Sequence, residues 1–295
     1  MRKAFAEMMT TMAEKDRRLV LLIGDISHHL LRDFESKFPD RFYNAGICEQ
    51  SIVSMAAGLA AEGFKPVVHT IAPFCVERAF EQIKIDACYQ ELPITIVSVG
   101  SSFDYAHLGC THHCYEDTSI LRTLPNMDVF VPGNSHEFKR LFESTWESPR
   151  SSYFKLSKSE HSQNTTGEPY RFEVLNRGSS STALFVNGHL LEEVYKIPGI
   201  ENYTIVYSPT IEPISKQGES EILDILRHHK KIVSIEENCL IGGFGDKIAD
   251  ISFNNNIAIL NKKIGIPRIF LDKYGTAKDH REFLGLTAKE MKKVL

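Results

Sequence analysis

The feature that most restricts this chain is a repeated switch between two hydrophobic periods. Phe5, Met8, Met9 and Met12 stand at helical spacing within residues 4–15, and Leu19 to Ile23 follow as an unbroken apolar run ending in Gly24-Asp25. Apolar residues three and four apart line one face of a helix, whereas a short apolar run bounded by turn formers fits a strand buried on both faces. The switch recurs: helix over 49–62, strand 66–71, helix 76–90, strand 94–99, helix 116–123, strand 128–131, helix 136–146 and strand 152–156. Strands alternating with helices require crossover connections, and right-handed crossovers build a mostly parallel sheet covered on both faces. The expected fold class is α/β.

From Ser157 to Ser181 the chain is polar, rich in Ser, Asn, Thr, Gly and Pro, with no sustained apolar period. This predicts a linker over 161–180, separating a domain at 1–160 from a smaller one at 181–295. Beyond it the alternation restarts with strand Thr182–Val186, a helix around 190–196, strand Tyr203–Tyr207, helix 219–227, strand Lys231–Ile235 and a helix from about 245. Two doubly wound domains are therefore expected. A hydrophobic share of 42% supports packed cores. With a net charge of -4 and dispersed basic residues, the chain has no footprint for nucleic acid and no polybasic membrane anchor. The first fifteen residues hold Arg2, Lys3, Glu7, Glu14 and Lys15 instead of a signal-type apolar segment, and no run reaches spanning length. A cytoplasmic protein acting on small molecules is expected. Six scattered cysteines fit reduced thiols better than a disulfide framework.

Open parallel sheets bind ligands beyond the carboxyl ends of their strands. Three polar clusters stand there: Gly24-Asp25, Ala72-Pro73-Phe74, and the loop from Gly100 to His113. Glu49 opens an apolar, small-residue helix after Asn44-Ala45-Gly46-Ile47-Cys48. An acidic residue near a helix N-terminus has an ordinary explanation in the helix dipole, as a phenylalanine after a strand has in core packing. Cys110, His112, His113 and Cys114 suggest zinc, but ligands so nearly adjacent cannot easily converge on one tetrahedral centre.

Four linked motifs outweigh those ordinary readings. Phe42-Tyr43-Asn44-Ala45-Gly46-Ile47-Cys48-Glu49-Gln50, Phe74 with Arg78-Ala79-Phe80-Glu81-Gln82-Ile83, Thr111-His112-His113 with Glu116-Asp117, and Leu124-Pro125-Asn126-Met127 follow one another along the chain. In order and spacing they resemble the pyrimidine-binding domain of transketolases. Glu236-Glu237 and Gly242-Gly243-Phe244-Gly245 resemble the transketolase C-terminal domain, so the likeness covers nearly the whole chain. The resemblance implies that Glu49 hydrogen-bonds the aminopyrimidine of thiamine diphosphate and favours its imino tautomer, a role suited to a carboxyl in an apolar site that can share a proton. It implies that Phe74 stacks on that ring, that Asp25 makes a polar contact to cofactor or interface, and that His112 contacts substrate. A helix cap is the ordinary alternative for Asp25.

The resemblance also exposes departures. Lys158 stands where the family has a phosphate-gripping arginine, keeping the charge without the bidentate fork. Gly100 replaces a phosphate-binding histidine, Leu108 an aspartate that reads substrate hydroxyls, and His113 a glutamine. His107, Tyr105 and Asp104 lie in the same loop and offer replacement polar groups. The Gly-Asp-Gly loop that holds the cofactor's metal and diphosphate does not occur in the 295 residues. The resemblance therefore implies an N-terminal transketolase subunit as partner, which carries that loop with Mg2+ or Ca2+, and an α2β2 assembly with the cofactor between subunits. Chemistry of the 1-deoxyxylulose-5-phosphate synthase or 2-oxo acid dehydrogenase β-subunit type, or a non-catalytic paralogue, are the alternatives.

Overall fold

The computed structural model describes residues 1–295, apart from the side chain of Leu260. Twelve strands are found among the described residues: β1 (Leu19–Ile23), β2 (Phe42–Asn44), β3 (Lys65–Ile71), β4 (Thr95–Val99), β5 (Met127–Phe130), β6 (Ser151–Leu156), β7 (Glu173–Asn176), β8 (Thr182–Val186), β9 (Thr204–Tyr207), β10 (Thr210–Glu212), β11 (Lys231–Cys239) and β12 (Leu260–Ile266). They form a seven-stranded sheet in the order β10-β5-β6-β4-β3-β1-β2 and a five-stranded sheet in the order β12-β11-β8-β9-β7. Each sheet is parallel except for one antiparallel edge strand, β10 on β5 and β7 on β9. The fold class is α/β with two parallel-dominated sheets.

Side-chain alternation explains why both faces of the first sheet are covered. In β1, Leu19, Leu21 and Ile23 pack with Phe5, Met9, Phe138 and Phe142, from helices Arg2–Lys15 and Ser135–Thr145. Val20 and Leu22 point the other way, against Ile52, Val53 and Ala56 of helix Glu49–Ala61. That second core runs on without a break into Phe172, Phe185, Ile211 and Phe244. On its far face the second sheet packs Leu184 and Val186 against Phe103, Ala106 and Tyr115, so the loop after β4 is roofed by the other half of the chain.

Several elements depart from the sequence reading, which did not place β2 or β12 and read three other stretches differently. The polar stretch expected as linker contains β7, and the turn after β9 contains β10, which crosses to the first sheet. Both are edge strands of three or four residues, too short to show a period. The helix expected over 76–90 breaks after Val76 and continues as a wider π turn over Ile83–Tyr89, which buries Ile83, Ala87 and Cys88 while Ile85 and Tyr89 face outward. Among the described residues no helix is long and apolar enough to cross a membrane.

Candidate active site

All parallel strands of the first sheet end on one edge, and the residues singled out in the sequence gather there. Glu49 is the first residue of its helix and only 1% exposed. It does not stand alone in apolar surroundings. Arg78 Nη1 donates to Glu49 Oε2 at 2.7 Å, and Thr70 Oγ1, near the end of β3, lies 3.5 Å from Oε1. Phe74 sits half-buried in the short helix Ala72–Val76 directly after β3. The guanidinium carbon of Arg78 lies 4.3 Å from the centre of the Phe74 ring. On another side the His112 ring meets Phe74 edge-on, with centroids 5.2 Å apart. Burial, and secondly His107, hold the His112 imidazole below its ordinary pKa, so it stays neutral and able to accept a proton near pH 7. Glu49, Phe74 and His112 are thus joined in one group, with Arg78 as the link between the first two, a contact not legible in the motif.

Asp25 lies beside this group with φ of +53°, exposed and tied to the end of β2: its N–H donates to Asn44 Oδ1 at 3.2 Å, and Asn44 Nδ2 donates to its carboxylate at 3.1 Å. It caps no helix; the next helical turn starts after Ser27. Ser27 leads to a second residue missing from the sequence reading. His69 Nδ1 contacts the Val97 carbonyl at 2.7 Å and therefore carries the proton, leaving Nε2 to accept from Ser27 Oγ at 2.7 Å. Complete burial pushes His69 down to about 3, which keeps it neutral. Ser27 Oγ in turn accepts from Arg2 Nε at 2.7 Å, so a buried chain of hydrogen bonds fixes Arg2 over the sheet edge.

Arg2, Lys3 and Lys158 line a cavity of about 260 Å³ at the ends of β4 and β6, together with Gly100, Asp104 and Tyr105. Lys158 Nζ donates to the Asp104 carbonyl at 2.9 Å and lies 4.3 Å from the Tyr105 ring centre. Gly100 has φ of +84°, and a Cβ there would come within 2.5 Å of the Tyr105 ring. The tyrosine thus fills the space a side chain at position 100 would need, while Leu108 points outward and 43% exposed. The end of the loop that lines this cavity is built around Tyr105.

Cys110, His112, His113 and Cys114 do not converge. Cys110 is exposed, Cys114 is buried with Sγ 3.6 Å from Glu77 Oε1, and His113 turns inward to His280, with ring centroids 5.2 Å apart. His113 and His280 are 4% and 3% exposed; neither nitrogen of His113 nor Nε2 of His280 has a hydrogen-bond partner. Burial lowers both pKa values, so the folded chain binds fewer protons here than the unfolded chain. The stability involved is complete above about pH 6.5 and declines as pH falls further. Denaturant titrations from pH 7.5 to 5.5 are expected to show that decline, and His113→Gln to remove part of it. Equal slopes in both proteins would exclude His113.

The sequence profile described as "Transketolase, pyrimidine binding domain" matches residues 1–163. Over 92% of this chain and 89% of its own length, an apulose-4-phosphate transketolase subunit of Actinobacillus succinogenes is 30% identical. The 1-deoxy-D-xylulose-5-phosphate synthase of Lawsonia intracellularis is 29% identical over 99% of this chain, which spans 47% of that enzyme. A solved structure described as "Split gene transketolase, inactive beta4 tetramer" superposes with a TM-score of 0.84 at 27% identity, covering 99% of this chain and 95% of the other. The chain belongs to the transketolase family, with the pyrimidine-binding domain in its first half and a likeness to a split-enzyme subunit along its whole length.

Proposed function

We propose that this chain is the pyrimidine-binding half of a two-subunit transketolase-type enzyme, which moves a two-carbon ketol unit from a ketose to an aldehyde acceptor with thiamine diphosphate. The observation that carries this reading is the gathering of a buried carboxyl, Glu49, a half-buried phenyl ring, Phe74, and a neutral imidazole, His112, at one edge of a parallel sheet. These residues fit the cofactor's ring, which needs one proton partner in its plane and one stacking surface. Thiamine diphosphate, when bound, supplies an acidic thiazolium carbon and an aminopyrimidine base. Glu49 holds a proton at the ring nitrogen, and Phe74 fixes the ring's plane. His112 accepts or returns a proton at the substrate's hydroxyl. Asp25, tied to Asn44, offers a carboxylate to cofactor or subunit interface. The diphosphate and its Mg2+ or Ca2+ belong to a partner subunit in an α2β2 assembly.

Arg2 and Lys158 beside the 260 Å³ cavity favour a sugar with an anionic tail. The relative that acts as a 1-deoxy-D-xylulose-5-phosphate synthase supports a second reading, with pyruvate as donor. Co-expression with a Gly-Asp-Gly-bearing subunit, followed by assays with ketose phosphates or pyruvate plus an aldehyde, tests both. Ketol transfer without CO₂ release is expected. Arg2→Ala or Lys158→Ala should raise KM for a phosphorylated donor about tenfold, the loss of one charge-assisted contact, and change it little for the unphosphorylated sugar. CO₂ release from pyruvate would transfer the assignment to the second reading, and failure of every donor with an assembled, cofactor-loaded complex would refute both.

A further inference from the structure

In the proposed function two residues of this chain hold the cofactor's ring, Glu49 in its plane and Phe74 against its face. Both are engaged by one side chain. Arg78 Nη1 bonds Glu49 Oε2 at 2.7 Å while its guanidinium carbon lies 4.3 Å from the centre of the Phe74 ring. The spacing makes this possible: Arg78 follows Phe74 by four residues, and the backbone between them stays helical enough for Glu77 and Arg78 to donate to the Pro73 carbonyl. A guanidinium is flat and delocalised, donates from its edge and stacks on its face. It therefore offers a carboxylate and a phenyl ring the same two contacts that an aminopyrimidine offers. Because the group on the Phe74 ring is also bonded to Glu49, it lies on the side of that ring facing the carboxylate. A cofactor ring satisfying both residues needs the same space. Arg78 is 37% exposed, so its side chain has a route out to solvent that neither Glu49 nor the β3 end has.

We propose that Arg78 is the resident occupant of the ring pocket: its guanidinium holds the place of the aminopyrimidine between Glu49 and Phe74, and the cofactor's ring enters by displacing it. This rests on the assignment of the ring to Glu49 and Phe74. The buried carboxylate is then never left without a partner in the cofactor-free chain, and cofactor affinity is set against an internal competitor. Arg78 acts on cofactor entry as a positioning residue, distinct from the groups that handle protons.

Thiamine is the suitable probe for the complex with the diphosphate-binding subunit, since it carries both rings without the diphosphate that the partner holds and so reports on the ring site. Its binding to wild-type, Arg78→Ala and Arg78→Lys proteins can be followed by calorimetry or saturation-transfer NMR, with circular dichroism to check the fold. Displacing a part-exposed ion pair together with a cation–π contact amounts to about tenfold in affinity. Arg78→Ala is accordingly expected to bind thiamine about tenfold tighter than wild type, and Arg78→Lys, which keeps the charge without the stacking plane, to fall between. Low-millimolar guanidinium should compete with thiamine in Arg78→Ala and leave wild-type binding unchanged. Adding Glu49→Gln or Phe74→Ala to Arg78→Ala should abolish the gain. If Arg78→Ala binds no tighter while binding still requires Glu49 and Phe74, the occupant proposal is wrong and the cofactor assignment stands. Thiamine binding that ignores Glu49 and Phe74, or is absent from every protein, overturns the cofactor assignment and the proposal with it.

Discussion

Glu49→Gln is expected to slow exchange of the cofactor's thiazolium proton by about 10²- to 10⁴-fold in the complex with a diphosphate-binding subunit, the range over which positioned acid–base groups act. The amide keeps the shape of the carboxyl but cannot take up and release the proton that the ring nitrogen needs. The side chain is 1% exposed, so water has little access to replace it. Quenched hydrogen–deuterium exchange followed by NMR reads the step directly, apart from substrate binding and product release. Glu49→Gln also removes the counter-charge of Arg78, so thermal melting of the uncomplexed variant separates misfolding from a lost proton path. Wild-type exchange in a folded variant would remove Glu49 from the mechanism.

The largest stability effect should come from a pair outside the site. Lys155 and Asp117 are both fully buried and meet at 2.7 Å. All three ammonium protons are used: Lys155 Nζ also donates to Asn238 Oδ1 at 2.8 Å and to the Cys114 carbonyl at 3.1 Å. The other oxygen of Asp117 accepts from Tyr153 at 2.5 Å. Burial disfavours the Lys155 cation, and Asp117 together with Cys114 and Glu237 more than offsets this, leaving its pKa raised. Removing one partner strands a charge in a dry core, so Lys155→Ala or Asp117→Ala should each cost about 3 to 5 kcal/mol, measured by urea unfolding. Lys155→Met with Asp117→Leu should cost less than either single change, because no charge is then left unpaired. Single losses below about 1 kcal/mol would contradict the isolation of this pair from water. The Cys114 carbonyl closes the loop that bears His112, so the single variants should lose activity at temperatures where they remain folded.

What could be read from the sequence was whatever depends on near neighbours. Strands β1, β3, β4, β6 and β8 announced themselves as apolar runs, and Glu49, Phe74 and His112 as motif residues following them. Two kinds of feature stayed hidden. Short antiparallel edges such as β7 and β10 are defined by the strand they join, so their own three or four residues carry no period. Arg2 and Arg78 reach the site through long side chains whose direction is set by distant partners, Ser27 and His69 for the first, Glu49 for the second. Arg78 was visible only as part of a motif, and the motif does not disclose that it bridges Glu49 and Phe74. The change at Gly100 was legible as a loss, whereas the filling of that space by Tyr105 required the loop's path.

Strand β10 has a consequence for how the halves of this chain can be used. Thr210–Glu212 comes from beyond the polar stretch, yet it closes the β5 edge of the first sheet. A fragment ending at residue 160 would leave β5 with a row of unsatisfied amides and carbonyls, the kind of bare margin that recruits strands from other molecules. The two halves are therefore not interchangeable cassettes. An exchange of the second half between relatives has to bring a matching edge strand with it, or the chimera inherits a sticky seam.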